Sequence, residues 1–334
     1  MQAGGKVSYK QYLDTYCQSI ALVWQLDSNK RGARVARYIS KALLHPVASL
    51  KWALALRDST ELYHWFSLNP RLLLKPARHY INRKYTFALR SKIIFNHYAI
   101  LNNFLSQPSF EFLALGNSIL LADLVGKNGG GYQILLGKTD SREGELFLQL
   151  RDSTQCREVY GFVFSFNIYE DQTGIEIGCI QGPEDKDARE LIKRATKELY
   201  GIRPRNLLAD ALYALARIWN LTKHSGVCNK SRIYNGDKTH ADYDAFWLEL
   251  GGTPGKNGMF HLPTELRHHQ LSEVSSHHRA EYRRRIKLRE DLSKQISIAT
   301  KAIGPRSQTA EARFCLHKLP IVYKPQSIEL AGSS

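Results

Sequence analysis

The sequence predicts a mixed α+β protein, with α/β as the alternative: a helical N-terminal part, a central and mostly antiparallel sheet flanked by helices, and a basic C-terminal helix. Three observations lead there. The first hundred residues read as successive helices. From Ser118 the texture changes to short runs rich in Ile, Val, Phe and Tyr, separated by turn residues. Further on, a dense basic run from Ser275 to Arg289 still keeps the apolar period of a helix.

In chain order, residues 41–57 are apolar with basic punctuation and are broken at Pro46; residues 59–66, 70–74 and 89–105 follow as helices. Tyr80-Ile81-Asn82-Arg83-Lys84-Tyr85 interleaves basic and aromatic residues, a pattern that can stack bases but more often marks an amphipathic surface. Residues 118–125, 133–137, 145–151, 158–169 and 174–180 predict five strands of an antiparallel meander. The triple glycine 129–131 leads into a strand, which favours a hairpin turn over a phosphate loop. A helix over 187–200 ends at Gly201, a natural C′ residue, and Pro204 restarts one at its first position. Leu207, Leu208, Leu212, Leu215 and Trp219 form its buried stripe. Residues 225–232 are strand-like, 241–250 helical, 259–262 extended, 264–300 the basic helical region and 314–317 a candidate strand. These elements group as a helical region 1–110, an α+β core 111–300 and a tail 301–334.

With 334 residues, 43% hydrophobic and 23% charged, the chain has length enough for a real core. A net charge of +16 points to an anionic partner without choosing among a phosphorylated cofactor, an anionic lipid and RNA. The five cysteines are scattered with no Cys-x-x-Cys pair, which argues against a zinc ribbon and suits reduced thiols. His261, His268, His269, His277 and His278 cluster late but contain no His-x-x-x-His, so no metal is expected. Neither a secretory signal nor an apolar run of the ~20 residues that span a bilayer is visible. The expected location is cytoplasmic, with peripheral contact at the inner membrane left open.

Two segments carry candidate chemistry. On a helical wheel of the basic run, Tyr282, Ile286, Leu288, Leu292, Ile296 and Ala299 share one sector, and Arg279, Arg283, Arg284, Lys287, Glu290 and Asp291 oppose it. His278, Glu281, Arg285 and Arg289 project into the apolar sector, where charges are costly unless paired. Either Glu281 and Arg285 form an ordinary i,i+4 pair while the arginines snorkel, or the four make an interior polar cluster that binds an anion or locks the helix in place. In the second segment, Gly201, Arg203, Arg205 and Asn206 surround a helix start, where free N–H groups, the dipole and arginine forks favour an anion. The plainer alternative is a well-made helix start on a basic surface.

The order of strands and helices also resembles an acyl-CoA-dependent acyltransferase core of the Gcn5-related type. In that fold a central strand leads to a pyrophosphate loop, Gln/Arg-x-x-Gly-x-Gly/Ala, that opens a helix on the sheet. Here Arg203-Pro204-Arg205-Asn206 stands at the loop, without the second glycine, and the helix over 187–200 is an insertion. The resemblance implies acyl-CoA as cofactor, Glu176 as general base and Tyr243 as general acid; the plainer reading makes each a half-exposed structural residue.

A more specific resemblance rests on several motifs in order. Ser276-His277-His278-Arg279-Ala280-Glu281-Tyr282-Arg283-Arg284-Arg285 is similar to a signature of the VirK/YbjX family of Gram-negative bacteria, with Ile286 where the family usually has Tyr. Ile177-Gly178-Cys179-Ile180-Gln181-Gly182, the turn and helix from Lys197 to Leu208, and Trp247-Leu248-Glu249-Leu250-Gly251-Gly252 followed by Phe260-His261-Leu262-Pro263 resemble further family motifs. The family implies association with virulence, envelope stress and resistance to cationic antimicrobial peptides, but no catalytic residue. Two functions follow as expectations: acyl transfer to an envelope or peptide amine, or a non-enzymatic basic protein that docks on anionic lipid or RNA and regulates envelope protein expression or export.

Overall fold

A computed structural model of the chain describes residues 31–58, 70–184, 186–234 and 241–305, with Asp14, Cys17, Ile20 and Ala21. Helices α1 (Arg31–Leu44) and α2 (Pro46–Asp58) meet at a corner, because Pro46 cannot continue α1 but is well suited to open α2. A 3-10 segment, Pro70–Ala77, leads into α3 (Phe87–Phe104), which Thr86 caps by accepting from the Leu89 N–H. After α4 (Gln107–Ala114) come β1 (Ser118–Val125), β2 (Gly131–Lys138), β3 (Leu146–Asp152), β4 (Arg157–Tyr169) and β5 (Gln172–Gln181). Then follow α5 (Ala188–Glu198), α6 (Pro204–Ile218), β6 (Lys223–Val227), α7 (Tyr243–Glu249), β7 (Thr253–Pro254), β8 (Met259–Leu262) and α8 (Arg279–Ile303). The fold is mixed α+β, as its sequence predicts.

All these strands form one sheet in the order β1-β2-β3-β4-β5-β6-β8-β7. Every pair is antiparallel except β5 and β6, which run parallel because α5 and α6 intervene. The apolar stripe of α6, including Leu207, Leu208, Leu212 and Leu215, is buried in the core cluster, and α8 lies across α6 and β1. On the other side, Tyr80 shares a hydrogen bond with Ser165 of β4 (2.7 Å) and Tyr85 donates to Glu176 of β5 (3.1 Å). β4 continues past the start of β3, and α3 takes the vacant place. There the Phe166 N–H donates to His97 Nδ1 (3.0 Å), and Phe166 packs against His97, Phe104 and Trp219.

Three expectations need correction. Tyr80-Ile81-Asn82-Arg83-Lys84-Tyr85 is amphipathic and presents no aromatic surface for stacking bases: Tyr80, Ile81, Asn82 and Tyr85 are buried, with the two tyrosine hydroxyls bonded to Ser165 of β4 and Glu176 of β5, while Arg83 and Lys84 stay exposed. The C-terminal helix starts at Arg279 and not near Thr264, since the regular apolar period begins only at Tyr282; short 3-10 turns at Leu271–Glu273 and Ser276–His278 precede it. Because His278 therefore stands before the helix, it is exposed, and Glu281 is exposed too. Neither enters the apolar sector. The expected helix over 59–66 and strand over 314–317 lie outside the described residues.

Candidate functional site

The parallel pair leaves an opening in the sheet's main-chain pairing, although Gly178, Cys179 and Ile180 beside it are buried. β6 pairs with β5 only from Gly174 to Ile177, so residues 178–181 of β5 lack a partner strand on that side. In open sheets the carboxyl ends of parallel strands, where the strand order switches, are where ligands bind. A bulge shapes the site: Ile177 pairs with Phe164 and Cys179 with Val163, which leaves Gly178 unpaired. The extra residue puts Cys179 on the same face as Glu176. A side chain at Gly178 would meet the Glu143 carbonyl oxygen at 2.0 Å, so only glycine fits.

Tyr243, at the start of α7, closes the opening. Its hydroxyl accepts from the Ile180 N–H (3.1 Å) and donates to Cys179 Sγ (3.4 Å). Cys179 also shares a hydrogen bond with Glu143, which Ser141 supports in turn. All three groups are nearly withdrawn from water, Glu143 at 8%, Cys179 at 4% and Tyr243 at 1% exposure. Burial pushes the Cys179 thiol and the Tyr243 phenol well up, so both keep their protons at neutral pH. Burial raises Glu143 to about 7, against hydrogen bonds from Cys179 and Ser141 and the charges of Arg142 and Arg232. The sequence named Tyr243 only through the acyltransferase resemblance and did not single out Glu143 or Cys179 as site residues.

The raised Glu143 has a measurable consequence. The folded state holds this proton up to a pH of about 7, whereas the unfolded chain releases it near 4.5. Its stabilising contribution is complete below 4.5 and is lost as the pH rises through 7. Glu143→Gln should therefore gain on the wild type by on the order of 3 kcal/mol between about pH 4.5 and 8, read by urea unfolding. A difference that stays flat over that range would show that Glu143 titrates normally.

At the expected anion site, Gly201 takes φ +80°, and its N–H donates to Thr196 O (2.7 Å), closing α5. Arg203, Arg205 and Asn206 converge on one carboxylate, Glu249 at the end of α7. The Arg205 guanidinium donates to it, Asn206 Nδ2 donates at 2.9 Å and Arg203 stands 3.7 Å away. The Arg205 fork also lies over the Phe246 ring. Beside them a cleft of about 710 Å³ is lined by Tyr160, Lys193, Lys197, Arg203 and Arg205. The structure thus brings the arginines and Asn206 together around an internal anion.

Glu176 is 2% exposed, not half-exposed, since Tyr85, Tyr169 and Asn167 all donate to its carboxylate. Burial raises its pKa, and those three hydrogen bonds oppose the shift. Tyr243 and Glu176 are not bonded to each other. On α8, Arg289 donates to Asp210 of α6 (2.8 Å), which also meets His268 (2.9 Å). Arg285 donates to the Tyr200 carbonyl (2.5 Å) and to Glu281 (3.0 Å). Arg285 and Arg289 therefore lock α8 onto the α5–α6 turn and onto α6. Among the described residues, no His, Cys, Asp and Glu side chains gather as a metal-ligand set, and no helix is long and apolar enough to cross a membrane.

Comparison with known proteins agrees with the motifs. The model of the family described as "Protein of unknown function (DUF535)" matches residues 27–298. The chain is 27% identical over 276 residues to the "Uncharacterized protein YbjX" of Escherichia coli, covering 78% of this chain and 82% of that protein. It is also 31% identical over 161 residues to an uncharacterized protein of Haemophilus influenzae, covering 47% of this chain and 53% of that one. No solved structure matches. On the family match and the ordered motifs together, the chain belongs to the DUF535 family, which is the VirK/YbjX family its signatures resemble.

Proposed function

We propose that this protein transfers an acyl group from an acyl-CoA thioester to an amine. The observation that supports this most is the opening beyond Ile177 between the parallel strands β5 and β6, with a protonated phenol inside it and an arginine-flanked helix start beside it. An extended acyl-thioester arm enters along this strand once the Tyr243 hydroxyl moves off Ile180, and then pairs with the freed main-chain groups as an added strand does. The phosphates fit Arg203, Arg205 and the start of α6. The amine attacks the thioester carbonyl, the C–N bond forms and the C–S bond breaks. Glu143 is better placed than Glu176 to take the amine proton, because it shares Cys179 with Tyr243 while three donors already engage Glu176. Tyr243 returns a proton to the leaving thiolate.

We take the amine to belong to an envelope component or peptide, the acceptor that the family's association with envelope stress and virulence favours. Isothermal titration of the full chain with acetyl-CoA and a long-chain acyl-CoA tests the donor. Saturable heat is expected at moderate salt, with an affinity loss of at least about tenfold in Arg203→Ala/Arg205→Ala. No heat with either donor would retire the enzyme reading. Binding that vanishes steeply with salt and survives Arg203→Ala would favour the non-enzymatic basic docking protein instead.

A further inference from the structure

A second cavity, of about 610 Å³, lies between the α1–α2 corner and the start of α3. Its wall carries Lys41, His45, Arg78, His79, Arg90 and Arg142, and among the described residues that line it none is acidic. Like charges converging in one cavity repel, so an anion between them would relieve the arrangement, even though Arg142 also bonds Tyr234. The wall is partly rigid. The Arg90 guanidinium is fixed by the carbonyls of Pro76 (3.2 Å) and Arg78 (2.7 Å). Its Nε is buried and finds no acceptor among the described residues. Burial first, then the Arg90 charge, holds His79 below its usual range, as expected where cations crowd.

The corner above this cavity is apolar. Leu43, Leu44 and Val47 are 75%, 67% and 66% exposed, and they adjoin Lys41 and His45 in the chain. The other large exposed apolar side chains of the described residues, such as Leu115, Val125 and Ile298, are dispersed along the sequence. Lys51, one helical turn beyond Val47 on α2, is exposed and adds a cation beside the corner. Apolar side chains that project beside a cationic cavity match the interface of an anionic bilayer, with headgroup phosphates outside and acyl chains within. A free phosphate would need the cations but not the leucines.

We propose that the α1–α2 corner is a membrane-docking site: the cavity takes the phosphate of an anionic phospholipid, and Leu43, Leu44 and Val47 enter the acyl region. This does not depend on acyl transfer, and its test uses no acyl-CoA. The full chain is floated with vesicles of phosphatidylcholine alone and of phosphatidylcholine with phosphatidylglycerol, and inorganic phosphate is titrated separately. Binding only to the anionic vesicles is expected. Leu44→Ser should weaken partitioning about tenfold and Lys41→Gln about fivefold. Leu44 is exposed and Lys41 half-buried at the cavity wall, so both variants should keep the wild-type melting temperature. Equal binding to both vesicle types would overturn the proposal, as would wild-type binding in both variants. A cavity that saturates with inorganic phosphate while the chain stays off the vesicles would overturn it as well.

Discussion

Alanine at Glu145 is expected to lower the unfolding free energy by about 3–5 kcal/mol, measured by urea unfolding beside the wild type. Glu145 is 1% exposed at its side chain and pairs at 2.7 Å with Lys75, itself 9% exposed. It also accepts from the Tyr98 hydroxyl at 2.5 Å. Alanine leaves Lys75 with one remaining acceptor, the Gly144 carbonyl at 3.2 Å. Burial already lowers the Lys75 pKa, and Glu145 is the main influence holding it up. The variant lysine should therefore shed its proton at a lower pH than the wild type. Replacing both partners with methionine should recover much of the loss, because no uncompensated charge then remains. A cost below about 1 kcal/mol for the single change would show that water reaches this pair.

Trp247→Ala is expected to cost about 3–5 kcal/mol as well, for a different reason. The indole is fully buried, lies against Gly226 so closely that a Cβ there would meet it at 2.4 Å, and donates to the Val227 carbonyl at 2.9 Å. It is the peg that holds α7 to β6. Tyr243 lies one turn earlier on the same helix, so loss of the peg frees its hydroxyl from Ile180. Mass spectrometry after brief thiol labelling should find Cys179 modified in the variant and protected in the wild type. Trp247→Phe should fall between the two in stability. A variant that melts with the wild type and keeps Cys179 protected would show that α7 is held by its ends alone.

The contrast between these residues shows what a sequence reveals. Strands β1 to β5 were legible to within about two residues at each end, because alternating apolar residues and turn signals act locally. Arg285 and Arg289 were legible because a wheel fixes their angle, and both reach across to the α5–α6 turn and α6. The parallel pairing of β5 with β6 was not, since it forms across two helices. Glu143 lies just beyond turn residues, Glu145 at the start of a predicted strand and Lys75 just past a predicted helix, and only the tertiary fold buries them. Cys179 was hidden by the bulge at Gly178, which shifts the strand's alternation by one residue. Glu249 gave no local sign that it faces Arg203, Arg205 and Asn206.

That last carboxylate makes α7 a lever with a load at each end. Tyr243 at one end fills the strand opening, and Glu249 at the other neutralises the start of α6. An anion arriving at α6 competes with a tethered rival whose local concentration is far above that of any free solute. Its apparent affinity is then scaled by the fraction of molecules in which Glu249 has swung away. Because the helix has only 7 residues, a tilt that withdraws the carboxylate also shifts the phenol. If Glu249 withdraws by that tilt and not by side-chain rotation alone, occupancy of one end and access to the other are thermodynamically linked, and each strengthens or weakens the other by the same factor.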